Sequence, residues 1–236
     1  MALKRKQASN KLEPDWYGFS VQLNIHLGMD YMSMKLMLDR EPLLTGVSIL
    51  VKTIEVAEKA LKLFTVLHSK TPTPLSDSRK DFGHNVEKVR TECATYNSLF
   101  DGDEIKEYCK FLNDKGGALY QKLRYGSQDN TIGFQADIKE CVKAAEKIYF
   151  ITMMNIPDSH LEIFCIGSPL FSTIWDTKFD LSKNREEMVN AIKLDNEFFD
   201  NYYELTKKFV KDEFMGEKIN SFDSEKPIDL TINNNM

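Results

Sequence analysis

Apolar residues recur along this chain at spacings of three and four, so most of the elements it predicts are helices. The clearest signal runs over 43–69, where Leu43, Val47, Leu50, Ile54, Ala57, Leu61, Phe64 and Leu67 form one stripe. Glu55 to Lys59 and Glu58 to Lys62 are i,i+4 pairs with the acid on the N-terminal side, the better orientation. His68 and Lys70 sit where a helix end favours cations, and Pro72 and Pro74 stop the helix. A second strong stripe covers 134–155 through Phe134, Ile138, Cys141, Ala145, Ile148 and Ile151, up to Pro157.

The span 16–38 carries two periods. Tyr17, Phe19, Val21, Leu23, Ile25, Leu27, Met29 and Tyr31 alternate with polar or small residues, which is a strand pattern. Trp16, Phe19, Leu23, Leu27, Tyr31, Met34 and Leu38 fit a helix face instead. The second half is predicted as helix, and a short N-terminal strand over 17–29 stays open.

Between the strong stripes lie weaker ones. A polar loop over 75–82 precedes a helix with Phe82, Val86, Val89, Cys93 and Tyr96 on one face. Asp101 or Asp103 can cap the next helix, which carries Ile105, Tyr108 and Leu112 and ends at Gly116-Gly117. Residues 118–124 predict a short helix and 125–133 a loop. Over 158–181 the apolar residues have no clean period, so short helices and an irregular packed segment both fit. Residues 185–213 predict one long helix, with Asn184 and Glu187 resembling a capping box. Phe198-Phe199 and Tyr202-Tyr203 spread over much of its circumference, so it must be buried all round or meet a partner.

The pattern therefore predicts an all-α bundle of about six to eight helices. Its organisation is a flexible basic N-terminus over 1–13, a helical bundle over 14–157, a helical extension over 158–213 packed on the bundle, and a loose tail over 214–236.

Composition adds exclusions. The 236 residues are 42% hydrophobic and 28% charged, ordinary for a globular chain and unlike a disordered one. No apolar run approaches the ~20 residues of a membrane span, so no membrane partner is expected. The net charge of -5 argues against a protein that coats duplex nucleic acid. Cys93, Cys109, Cys141 and Cys165 are widely spaced, with no zinc or redox pair. Reduced core cysteines and a cytoplasmic location are expected. The basic Lys4-Arg5-Lys6 is followed by polar residues, which does not suggest a secretory signal. There is no phosphate loop, no nucleophile elbow and no zinc-helix motif, and His26, His68, His84 and His160 are scattered. No metal and no cofactor are expected.

Three short constellations remain: Glu58-Lys59-Ala60-Leu61-Lys62, then Gly83-His84-Asn85-Val86-Glu87-Lys88-Val89, then Leu123-Arg124-Tyr125. In order and spacing these resemble the HEPN superfamily of small helical bundles, over about residues 30–155. Asn85 stands where the family's usual residue is Asp.

The resemblance implies two kinds of role. Some HEPN proteins are metal-independent ribonucleases, toxins or defence components with an Arg, four to six residues, then His. Arg79 and His84 match that spacing. A His can move the ribose 2′-OH proton while an Arg steadies the phosphate, with the RNA supplying its own nucleophile. Lys80, however, follows the arginine where nuclease members carry Asn, Asp or His, and the pair straddles a loop. Other members do no chemistry, and pair with a nucleotidyltransferase or bind a nucleotide or another protein. The Gly-His-Asn form is closer to that branch. Lys59, His84, Lys88, Arg124 and Tyr125 are then the candidate ligand-binding residues. The leading expectation is thus a non-catalytic interaction or nucleotide-associated binding protein, in a defence or toxin–antitoxin setting, working as a homodimer. A metal-independent endoribonuclease acting on RNA and a plain helical adaptor are the alternatives.

Overall fold

The computed structural model describes residues 14–40, 46–68, 85–114, 137–175 and 185–210. Among them it contains nine α-helices, one 3-10 turn and no strand. The helices are α1 (Pro14–Arg40), α2 (Gly46–His68), α3 (Val86–Tyr96), α4 (Asp103–Asp114), α5 (Ile138–Met154), α6 (Asp158–Ile166), α7 (Pro169–Trp175), α8 (Arg185–Lys193) and α9 (Phe199–Lys207). The 3-10 turn, Ser98–Asp101, links α3 to α4.

The ambiguous N-terminal span is helix throughout, and the strand alternative for 17–29 is overturned. Burial along α1 follows Ser20, Asn24, Leu27, Tyr31 and Met34, a helical period. The alternation misled because small and polar residues take inward positions. Asn24 Nδ2 donates to the Phe164 carbonyl (2.8 Å), while apolar Met29 lies exposed.

Helix α2 is the centre of the bundle, packed against α1, α3 and α5. Three neighbours explain why Ile49, Val56, Leu63 and Val66 are buried besides the single stripe read from the sequence. Val47, assigned to that stripe, sits near the helix start and is exposed. Of the two acid–base pairs predicted on this helix, Glu58–Lys62 forms as an ion pair. The α2–α5 seam is close: the Thr152 hydroxyl donates to the Ala60 carbonyl at 3.2 Å, an approach that a small residue at position 60 permits.

Short segments behave as their end signals require. Asn85 Oδ1 accepts from Lys88 N (2.9 Å) and caps α3, and Asp137 Oδ1 accepts from Lys139 N and Glu140 N at the start of α5. Helix α4 begins at Asp103, whereas Asp101 pairs with Arg90 and Lys106. Over 158–175 the aperiodic segment forms two short helices. The predicted elements over 75–82, 118–124 and 125–133 lie outside the described residues.

The long helix over 185–213 is corrected to two. It breaks between Lys193 and Phe199, where Asp195 takes φ 54°. Lys35 Nζ donates to the Leu194 carbonyl (2.8 Å). Asn196 Nδ2 reaches the Tyr31 hydroxyl (3.1 Å), and Asn196 Oδ1 accepts from Phe198 N (2.9 Å). These bonds from α1 and within the turn replace those of a continuous helix. The break also turns the aromatic cluster inward. Phe199 and Tyr202 are buried, and Phe198 and Tyr202 meet the Phe150 ring at 5.8 and 5.6 Å. Trp175 Nε1 donates to Thr206 Oγ1 (3.0 Å) and its ring stacks on Tyr203 (4.5 Å). Of the two outcomes open to that aromatic circumference, burial within the chain takes Phe199 and Tyr202.

The four cysteines are buried free thiols. No helix of the described residues is long and apolar enough to cross a membrane.

Candidate functional site

Two of the residues nominated by the sequence are described. Lys59 lies on the α1-facing side of α2, where its ammonium pairs with Asp30. Asp30 also accepts Lys52 (2.7 Å), which in turn binds Glu55 (2.7 Å). Two cations and two carboxylates cancel here. Burial pulls the Lys52 ammonium down, but Asp30 and Glu55 outweigh it and its pKa is raised. Lys59 therefore has its charge answered within the protein and is poorly placed to hold an anion. Lys88 is exposed on the first turn of α3 and, among the described residues, shares no partner with Lys59. Arg79, His84, Arg124 and Tyr125 lie outside the described residues.

The described half of the Gly-His-Asn constellation builds the start of a helix. Asn85 caps it and also accepts from Asn113 Nδ2 (2.8 Å), while Val86 and Val89 enter the core. Glu87 holds the Arg90 guanidinium through Nε and Nη2 (2.8 and 2.7 Å). Arg90 Nη1 continues to the Phe100 carbonyl (3.1 Å) and Asp101 (3.0 Å), so this arginine joins α3 to the 3-10 turn.

A different set of charges stands at a cleft. The side chains of Lys35 on α1 and Glu146 on α5 keep only 3% and 5% of their exposure and lie 3.1 Å apart. Two charges this dry are stable only when paired and hydrogen-bonded. Glu146 Oε1 also accepts the Tyr31 hydroxyl at 2.6 Å, and Asn196 closes the network from the α8–α9 turn. Tyr31 is held in place by stacking on Tyr149 (4.3 Å) and by Phe150 edge-on (5.5 Å). Burial pushes the Glu146 carboxyl up, against the pull of Lys35 and Tyr31. Burial, with Glu146 beside it, raises the Tyr31 hydroxyl well above its ordinary range.

The pairs 31–149, 31–146 and 35–146 fix α1 and α5 as antiparallel, so the C-terminal turns of α1 lie beside the N-terminal turns of α5. Between them and the α8–α9 turn opens a cavity of about 190 Å³, lined by Lys35, Leu38, Asp39, Lys139, Val142, Lys143, Glu146, Leu194 and Asp195. Its floor is the Lys35–Glu146 pair, its walls are aliphatic, and its mouth carries exposed Asp39, Lys139, Lys143 and Asp195. Lys143 also meets Glu140 at 2.9 Å. A carboxyl raised by burial, a buried paired cation and a left-handed residue thus stand together at one cleft.

A second cavity of about 270 Å³ between α4 and α5 is lined by Glu104, Glu107, Asp137 and Glu140 beside Tyr108, Phe111, Cys141 and Ala144. Of its four carboxylates, Glu104 is paired with Lys147 and Glu140 with Lys143, each at 2.9 Å. Among the described residues no group of three or more His, Cys, Asp or Glu side chains is placed to hold a metal ion.

Sequence reasoning missed Lys35, Glu146 and Asn196. A signal existed for two of them. Lys35 stands four residues after Tyr31, and Glu146 stands four after Val142 and four before Phe150. Both are charges at the inward spacing of apolar stripes, where a charge must find a partner.

No family model matches the chain, and neither a curated protein nor a solved structure matches it.

Proposed function

We propose that this chain is a non-catalytic binding protein built on a HEPN-like helical bundle. The observation that carries the reading is the cleft between α1, α5 and the α8–α9 turn. Its polar floor is already hydrogen-bonded through Tyr31, Lys35, Glu146 and Asn196, so its geometry is set before any ligand arrives. The all-helical architecture and the order of the Glu-Lys-Ala-Leu-Lys and Gly-His-Asn-Val-Glu-Lys segments support the family reading. In that reading the chain works as a homodimer, alone or with a protein partner such as a nucleotidyltransferase.

The test is cleavage of single-stranded RNA and tRNA in EDTA by the wild type, Arg79→Ala and His84→Ala. No cleavage by the folded wild type is the expected outcome. Cleavage that survives EDTA and disappears in both variants overturns the reading in favour of a metal-independent ribonuclease.

A further inference from the structure

We infer that the core binds a single ordered water, held by the hydroxyls of Tyr149 on α5, Ser168 between α6 and α7, and Tyr202 on α9. The inference is independent of what the cleft between α1, α5 and the α8–α9 turn holds.

The fold brings these three hydroxyls to one place from three elements. All three residues are 0% exposed. The Ser168 hydroxyl stands near both phenols, where it opposes the rise that burial imposes on their pKa values. The Tyr149 phenol lies near enough to Tyr202 to push it up further, and the Cys165 thiol stands beside both. Yet none of the three oxygens has a hydrogen-bond partner among the described residues. They are neighbours that do not bond one another.

Each oxygen is held where it is by contacts of its own residue. The Tyr149 ring stacks on Tyr31 (4.3 Å) and meets Phe150 edge-on (5.0 Å). The Tyr202 ring meets Phe150 edge-on at 5.6 Å, and its carbonyl accepts the Thr206 hydroxyl at 2.8 Å. The Ser168 amide donates to the Cys165 carbonyl (3.0 Å), and its carbonyl accepts from Ser172 N (3.1 Å). A serine just ahead of a helix usually gives its side-chain oxygen to the first-turn amides. Ser168 precedes α7 but makes no such bond. Helix α1 closes its other side at Gly28, where a Cβ would fall 3.3 Å from Ser168 Oγ. Drawing the three oxygens together would disturb two ring packings and a hydrogen-bonded turn.

A buried hydroxyl without a partner is costly, so native cores leave few of them. Each hydroxyl here can turn to donate or to accept. A water has two protons and two lone pairs, so one molecule can answer all three. Internal waters typically make about three such bonds to groups that lack another partner. The groups acting on Tyr149 and Tyr202 are hydroxyls and a thiol, all neutral, which suits water and not an ion.

A crystal structure of the full chain, at a resolution that shows waters, tests this directly. Density for one water within about 2.5–3.0 Å of all three oxygens is expected. A map in which the hydroxyls bond one another directly, with no water among them, overturns the inference. Magnetic relaxation dispersion of the water oxygen signal gives a second reading in solution. Tyr149→Phe with Tyr202→Phe leaves the water only Ser168, so the amplitude from long-lived internal waters is expected to fall by one water. Tyr202→Phe alone leaves two partners and is expected to keep it. An unchanged amplitude in the double variant, shown folded by circular dichroism, also overturns the inference. Where that variant does not fold, the wild-type map decides.

Discussion

Single residues here act through what surrounds them. His68 ends α2 with its ring stacked on Phe64 (4.1 Å) and Nε2 bonded to the Asn155 carbonyl (2.9 Å). Burial lowers its pKa, and the hydrogen bond opposes that only in part. A histidine depressed in the folded state takes up its proton more readily when unfolded. Its contribution is complete above the unfolded pKa of about 6.5 and is lost as pH falls through the lower folded value. Denaturant titrations of wild type and His68→Gln between pH 7.5 and 5 should diverge, with the wild type losing stability relative to the variant by no more than about 1.4 kcal/mol per pH unit. Parallel curves would show that the imidazole titrates alike in both states.

Elements are held by close approach as much as by apolar area. Helix α1 meets the α6–α7 connection at Gly28, where a Cβ would fall 2.9 Å from Pro169 Cδ and 3.3 Å from Ser168 Oγ. Pro169 is a ring at the start of α7 and has little freedom to retreat. Gly28→Ala should gain helix propensity yet lose about 1–3 kcal/mol through overpacking, read as a lower urea midpoint. An unchanged or higher midpoint would mean that α7 shifts without cost. The same connection shows how α7 is tied at its other end: Arg185 Nε and Nη2 donate to the Thr173 and Ile174 carbonyls (2.9 and 2.6 Å), so the first residue of α8 closes the helix before it.

Across the whole molecule one core runs from α1 through α2 and α5 to α9, and the thiols report on it. Burial pushes Cys93 up to about 12 and Cys141 up to about 11, and raises Cys109 further. The thiolate is the reactive form, so native protein should react with Ellman's reagent at none of its four cysteines on the scale of minutes, and at all four in denaturant. Rapid native labelling of Cys93 or Cys109 would mean that the α2–α3–α4 packing opens easily.

The helices with regular stripes were legible from residue order, because a 3.6-residue period needs no knowledge of the partner. Leu50, Ile54, Ala57, Leu61 and Phe64 in α2, Cys93 in α3, Ile105, Tyr108 and Leu112 in α4, and Cys141 in α5 follow from it. So does the stop before Pro157, a local steric effect, whereas the caps at Asn85 and Asp137 emerge only in the fold. Three-dimensional packing decided the rest. The inward place of Asn24 in α1 is answered by the Phe164 carbonyl 140 residues away, and the break at Asp195 is bonded to Lys35 and Tyr31 of α1. The cleft needed α1, α5 and the α8–α9 turn to converge, and the neutralisation of Lys59 needed Asp30 from another helix. Burial periodicity is a property of one segment, whereas a paired charge is a property of two, and only the folded chain brings the second within reach.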